Sequence, residues 1–245
     1  MAHRVGRVLS NDQIERALVI TAHPDDVDFG AAGTVAKLTD DGVSVTYCVV
    51  TDGQAGGFDD TIPRVQMASI RREEQTRAAN CVGVTELIFL GLMDGSVEAG
   101  LDLRHTLSRV IREVRPTVVI TQSPELNLKR IYASHPDHLA VAESAIAAVY
   151  PDARNPYAFP DLLTSGLEPW SVDEVWVMGH HRPDAHVDIS ASFARKIEAL
   201  LCHASQHPDP ARMVERVSEW NAGLAIEAGF GDGSYAEGFL VVDTR

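Results

Sequence analysis

The stretch that most narrows the possible folds is residues 17–33. Four apolar residues, Ala17-Leu18-Val19-Ile20, run straight into Thr21-Ala22-His23-Pro24-Asp25-Asp26, and only Val27-Asp28-Phe29-Gly30 separates Asp26 from the next helical pattern. A short continuous apolar run reads as a strand buried on both faces. A chain that turns from such a strand into a helix within a few residues builds a βαβ unit. Its turn opens at the carboxyl edge of a parallel sheet, where α/β proteins place their ligands. A phosphate-binding turn exposes backbone N–H groups through glycine, whereas this one presents an imidazole and two carboxylates. It suits a cation better than a phosphate.

The rest of the chain repeats the rhythm. Helical patterns are expected at 30–41, 65–81, 101–114, 139–150, 193–203 and 211–228, and strands at 17–20, 43–51, 87–90, 118–121, 174–178, 186–189 and 239–242. Residues 1–14 read as an irregular or short helical lead-in. This alternation predicts an α/β fold: a Rossmann-like, doubly wound, mostly parallel sheet flanked by helices. With 245 residues and no obvious linker, a single domain is expected over 1–245, with a core at about 15–145 and residues 146–245 completing sheet and pocket. Residues 151–169 carry four prolines and little periodicity, and read as a surface excursion able to shape a pocket.

Lysine and arginine total 21 against 35 aspartates and glutamates, for a net charge of −14, so nucleic acid or an anionic membrane would meet repulsion. Cys48, Cys81 and Cys202 are odd in number and far apart in sequence, which suggests reduced thiols in a cytoplasmic protein. No apolar run approaches the ~20 residues of a membrane span, and the N-terminus lacks the apolar core of a signal peptide.

Two short elements match in kind: His23-Pro24-Asp25-Asp26 after the first strand, and His135-Pro136-Asp137-His138 before a helix. Positions three apart in a turn or first helical turn face the same side, so His23 and Asp26, joined by His138, can supply three ligands to one ion. Two imidazoles and a carboxylate, with a fourth position left open, is the composition of a catalytic Zn²⁺ site; a closed structural site would favour cysteines. Ferrous iron or another divalent transition metal is compatible with the same donors.

These elements, with Gly30 and Gly33, Thr51-Asp52-Gly53 to Gly56, Arg71-Arg72-Glu73-Glu74 before Gly83-Val84, and a Lys-x-x-Ala-Leu-x-x-His-x-Ser-Gln pattern at 196–206, resemble the LmbE-like or PIG-L-type zinc-dependent de-N-acetylases. The resemblance implies that His23, Asp26 and His138 hold the metal, that Asp25 is the general base, and that His135 stabilises the oxyanion. It also implies an N-acetylglucosamine-type amino-sugar conjugate as substrate, with acetate released. The chemistry agrees, because an amide is a poor electrophile that needs a Lewis acid, a base and a donor for the developing charge. Asp25 adjoins a ligand without being needed as one. His135, as imidazolium, could also protonate the departing amine.

Arg71 matches a family substrate-contacting arginine, and Asp94 stands where a carboxylate can hold sugar hydroxyls. Tyr132 lies three residues before His135, where the family often has a tyrosine two before. The aglycone would be read by loops 53–64, 126–132 and 151–170. Other readings stay open: an amidase of the same fold acting on a larger thiol conjugate, or a nucleotide-binding Rossmann-like module. Homo-oligomerisation is also open. The bland readings are that Asp25 and Asp26 cap a helix, that Ser134-x-x-Asp137 is a capping-box variant, and that Arg71 to Glu74 is a solvated helix face. The cluster of His180, His181 and His186 is expected not to bind metal, since no acidic partner has ligand spacing. His203 and His207 are expected to be helix-end residues.

Overall fold

The computed structural model describes residues 9–245. Residues 1–8 of the expected lead-in lie outside that range; its remainder holds a 3₁₀ turn at Asn11–Gln13. Seven strands form one sheet: β1 (Arg16–Thr21), β2 (Ser44–Thr51), β3 (Glu86–Leu92), β4 (Val118–Thr121), β5 (Glu174–Met178), β6 (Ala185–Asp188) and β7 (Ala236–Asp243), in the order β3-β2-β1-β4-β5-β7-β6. The first five in that order are parallel, while β7 runs antiparallel to both β5 and β6. The expected doubly wound α/β fold is therefore present, with an antiparallel edge.

Among the described residues there are eight α-helices: α1 (Asp26–Gly30), α2 (Ala32–Asp40), α3 (Arg64–Cys81), α4 (Leu101–Val114), α5 (Pro136–Ala147), α6 (Pro160–Thr164), α7 (Phe193–Leu201) and α8 (Pro210–Glu227). Strand residues alternate between two apolar layers. Ala17, Val19, Val45 and Tyr47 share one with Val27, Val35, Leu38, Ala78 and Ala199 of α1, α2, α3 and α7. Leu18, Ile20, Cys48 and Val50 share the other with Leu103, Leu107, Ile111 and Val141 of α4 and α5. A sheet covered on both faces needs apolar residues at both parities, which is why β1 reads as an unbroken apolar run.

Chain order reverses at the centre of the sheet: β1 is followed outward by β2 and β3, and the chain then returns to place β4 on the other side of β1. The crevice beyond the carboxyl ends of β1 and β4 is the switch point where such sheets bind ligands. The Gln122 side chain, just past β4, accepts the Ala22 N–H at 2.9 Å and ties the two strand ends together.

Several expectations need correction. The helix expected from residue 30 begins at Asp26, with Asp25 as its N-cap in the left-handed region (φ 88°), and breaks at Ala31 before α2. The turn after β1 is correspondingly tighter. The excursion at 151–169 does not shape the crevice: it contains α6 and packs on α4, where buried Arg112 donates to the carbonyls of Asp152, Ala153, Asn155 and Ala158 and Arg104 pairs with Asp152. A loop that otherwise buries its own carbonyls needs such a donor. Cys81 and Cys202 are not far apart in space, their sulfurs lying 3.8 Å from each other as free thiols. Burial pushes the Cys48 thiol up to about 12, which keeps it protonated and inert.

Candidate active site

The β1–α1 turn brings its own side chains onto its own backbone. Asp26 Oδ2 accepts the His23 N–H at 2.7 Å, and Gln75 of α3 accepts the Asp25 N–H at 2.7 Å. With these N–H groups used internally, the turn offers no phosphate cradle. The Pro136 start of α5 sets His138 in that helix's first turn, against Asp26.

Donor atoms of three side chains then converge. His138 Nε2 lies 3.0 Å from Asp26 Oδ1 and 3.1 Å from His23 Nδ1, and His23 Nδ1 lies 3.5 Å from Asp26 Oδ2. Ligands at about 2.0–2.1 Å from a tetrahedral Zn²⁺ are separated by about 3.3 Å, so the imidazoles and the two Asp26 oxygens approach one another at the spacing of ligands around one ion. The other ring nitrogen of His23 faces two carboxylates, Asp94 Oδ1 at 3.0 Å and Asp137 Oδ2 at 3.2 Å. They favour the proton on Nε2 and leave the Nδ1 lone pair free to coordinate.

The electrostatics also call for a cation. Asp25, Asp26, Asp94 and Asp137 gather here with Arg71 as the arginine among them. Burial alone would lower the His23 pKa, but hydrogen bonds to Asp137, Asp26 and Asp94 outweigh it and push the imidazole up to about 12. Burial would raise Asp26, yet the His138 charge holds its carboxyl well below the usual range. Without a metal, a proton on His23 thus offsets the surrounding carboxylates. Donor types, spacing and charge all fit a divalent transition ion.

Asp25 and His135 flank this group. Burial pushes the Asp25 carboxyl up against the opposing Arg71 charge, with Arg71 Nη2 at 3.0 Å from Asp25 Oδ2. Arg71 also donates to the carbonyls of Pro24 and Gly53, so it braces Asp25 against its own turn. Gly53 has φ 62°, and a Cβ there would collide with the Arg71 guanidinium. The glycine-rich loop after β2 therefore makes room for an arginine. His135, not Ser134, caps α5: its Nδ1 accepts the Asp137 N–H at 3.2 Å, which leaves the proton of the neutral ring on Nε2.

The structure thus brings His23, Asp25, Asp26, Arg71, Asp94, His135 and His138 to one cavity of about 880 Å³. Tyr132 also lines it, with its side chain largely exposed. Arg71 and Asp94 are both turned onto site residues, since the second Asp94 oxygen accepts the Ala55 N–H.

These observations coincide with a sequence relationship. The model of the PIG-L family, GlcNAc-PI de-N-acetylase, matches residues 18–149. The chain belongs to the PIG-L family. Among PIG-L relatives, the diacetylchitobiose deacetylase of Thermococcus kodakarensis is 34% identical over 198 residues, covering 81% of this chain and 72% of that protein. A probable N-acetyl-α-D-glucosaminyl L-malate deacetylase 2 of Bacillus cereus is 34% identical over 196 residues, covering 77% and 82%. The structure of N,N′-diacetylchitobiose deacetylase from Pyrococcus horikoshii superposes with a TM-score of 0.88 at 29% identity, covering 95% of this chain and 85% of that one.

Sequence reasoning missed several parts of the site. Asp137, read as a cap, is fully buried and accepts from Gly95 N at 2.7 Å and Val97 N at 3.2 Å as well as facing His23. His203, read as a helix-end residue, is fully buried with Nε2 at 2.8 Å from Asp28, which Gln75 also contacts. Its place in the Lys-x-x-Ala-Leu-x-x-His pattern was the available signal. The Arg71–Glu74 segment is not a solvated face: Arg71, Glu74 and Gln75 are buried, and Glu74 accepts from Ser205 N and Oγ. The His180–His181 pair does have an acidic neighbour, Glu125, 3.2 Å from His180 Nε2 and 3.7 Å from His181 Nδ1. Glu125 comes from the loop after β4, 55 positions before His180 in the chain, too far for spacing to reveal. Among the described residues no helix is long and apolar enough to cross a membrane.

Proposed function

We propose that this chain is a metal-dependent deacetylase that hydrolyses the N-acetyl amide of an N-acetylglucosamine-type conjugate and releases acetate. The observation that carries the reading is the mutual approach of His23 Nδ1, His138 Nε2 and the Asp26 carboxylate at 3.0–3.5 Å, flanked by the half-buried Asp25 carboxylate and the His135 imidazole in one cavity. His23, Asp26 and His138 would hold the ion, and two nitrogens with one oxygen suit Zn²⁺ first and Fe²⁺ second. Bound there, such an ion supplies Lewis acidity toward the amide carbonyl and makes water easier to deprotonate.

The chain's own groups do the rest. Asp25 takes the proton of the attacking water, its carboxylate held in place by Arg71. His135 donates Nε2–H to the carbonyl oxygen as charge builds on it; the bond from Asp137 N to Nδ1 fixes that tautomer. Burial holds His135 below its ordinary pKa, which favours the neutral donor over an imidazolium. Protonation of the departing amine therefore falls to Asp25, which carries the proton taken from water. Arg71 and Asp94 border the sugar's side of the cavity. The substrate is a small water-soluble amino-sugar conjugate, and three free thiols suit a cytoplasmic site of action.

The test is metal content and acetate release for wild type, Asp25→Asn and His138→Ala. Asp25→Asn should keep the metal and lose at least about 10²-fold in kcat, while His138→Ala should lose the metal. Full activity in Asp25→Asn would remove the base, and unchanged metal affinity in His138→Ala would remove the ligand set.

A further inference from the structure

We infer that the outer wall of the cavity is an anion subsite, shaped for a carboxylate or phosphate group on the aglycone of the substrate. The inference rests on the deacetylase reading for which end of the cavity holds the reacting amide. At about 880 Å³, the cavity lies high in the range of about 300–1,000 Å³ found for small-molecule sites. Room remains beyond the sugar ring.

The wall of that remaining space is cationic. Arg130, from the segment after β4, and Arg212 and Arg216, one turn apart on α8, all line the cavity. Among the described residues none of these three guanidinium groups has a carboxylate partner. Elsewhere in this acidic chain arginines sit on carboxylates: Arg72 on Asp52, Arg104 on Asp152 and Arg195 on Asp40. Asp209, the one carboxylate on the outer wall, accepts the Arg212 N–H as N-cap of α8, while Glu215 and Glu219 of that helix do not line the cavity.

Arg130 is also oriented. Its guanidinium lies 4.5 Å from the centroid of the Trp220 ring, a cation–π contact that limits its freedom. Desolvation against the wall, and then the Arg216 charge, hold the Arg130 guanidinium below the usual arginine value. These three guanidinium groups are exposed at the cavity mouth, and like charges brought together there by separate elements, with no counter-charge between them, attract an anion. The planar guanidinium fork matches carboxylate and phosphate oxygens in pairs. The cavity therefore carries opposite charge at its two ends, with carboxylates and imidazoles at the floor, guanidinium groups at the mouth and apolar side chains such as Phe58, Met213 and Trp220 between. A neutral aglycone would use only the floor, whereas an acidic one is oriented by both.

The experiment compares three substrates with the metal-loaded enzyme: methyl N-acetylglucosaminide, an N-acetylglucosaminide of a hydroxy acid, and N-acetylglucosamine 1-phosphate. One or both acidic substrates should exceed the neutral one in kcat/KM by about tenfold or more, mainly through KM, and added salt should shrink the gap. The carboxylate and phosphate arms show which anion fits. Arg130→Gln/Arg216→Gln should bring the ratio of acidic to neutral substrate to within about twofold, whereas Arg109→Gln, at an exposed pair on α4, should leave the ratio in place. Turnover of the neutral substrate with no preference for either acid, or a preference that survives the double substitution, overturns the subsite and leaves the deacetylase reading standing.

Calorimetric binding of the hydroxy-acid N-acetylglucosaminide, N-acetylglucosamine 1-phosphate and methyl N-acetylglucosaminide to the Asp25→Asn protein gives a readout independent of chemistry. Arginine-dependent preference for either acidic compound there supports the subsite, and equal affinity for all three overturns it. If that preference appears but no substrate yields acetate with the wild type, the deacetylase reading fails and the subsite stands.

Discussion

Asp137 shows how one side chain sets the behaviour of another. It receives N–H groups from Gly95 and Val97 and faces His23 Nε2, three donors on two oxygens. Asparagine offers a single acceptor oxygen, so Asp137→Asn would turn an N–H toward another donor and loosen the His23 ring. Groups that orient a ligating histidine are typically worth about 10–100-fold in metal affinity. The expected result is a loss of that size with an unchanged far-UV spectrum, measured by competition with a chromogenic chelator. Unchanged affinity would assign the orientation of His23 to Asp94 alone. His23 and Asp26 were legible in the sequence because a turn of three residues brings them together whatever surrounds it. The task of Asp137 was not, because Gly95 and Val97 reach it only after β3 and α5 have packed onto the same end of the sheet.

Between elements, the site is braced by a buried chain of polar contacts. His203, just after α7, meets Asp28 of α1, which meets Gln75 of α3, which in turn accepts the backbone N–H of Asp25. Burial alone would lower the His203 pKa; the hydrogen bond to Asp28 outweighs it and leaves the imidazole above its ordinary value of 6.5. A group whose folded pKa is raised contributes stability that is complete below the unfolded pKa and is lost as pH rises through the folded one. Breaking a buried pair costs about 3–5 kcal/mol. His203→Gln should therefore destabilise the protein most at and below pH 6.5, and the difference from wild type should shrink as pH climbs past the raised pKa. Urea unfolding of both proteins from pH 6 to pH 9 measures it, and a difference that grows with pH would contradict the assignment. The helix carrying Arg71 buries Met67, Ala78 and Ala79, and with them Arg71, Glu74 and Gln75, so half of its six buried residues are polar and apolar periodicity alone does not reveal them.

At the scale of the whole molecule, an excess of buried carboxylates at the switch point is a cost that a bound cation offsets. An ion that binds only the folded chain adds about 4 kcal/mol at a thousand times its Kd. For a chain of this size each kcal/mol moves Tm by roughly 2–4 °C. Chelation should lower Tm by about 8–16 °C on those terms, reversibly on adding Zn²⁺, and His138→Ala should show no such response in differential scanning fluorimetry. A chelator response that persists in His138→Ala would place the stabilising ion elsewhere. Local order was readable from the amino acids in sequence: strands that must be apolar on both faces, the strand-to-helix turn, and metal-competent side chains three residues apart. Those features depend on backbone geometry and on solvent exclusion within a few residues. Folding in three dimensions alone decided which distant groups stand beside them. It paired Asp137 with His23, carried His203 to Asp28, spent the 151–169 excursion on Arg112, and set the arginines of α8 across from the carboxylates of α1. Such contacts depend on strand order and helix docking, and no spacing along the chain encodes them.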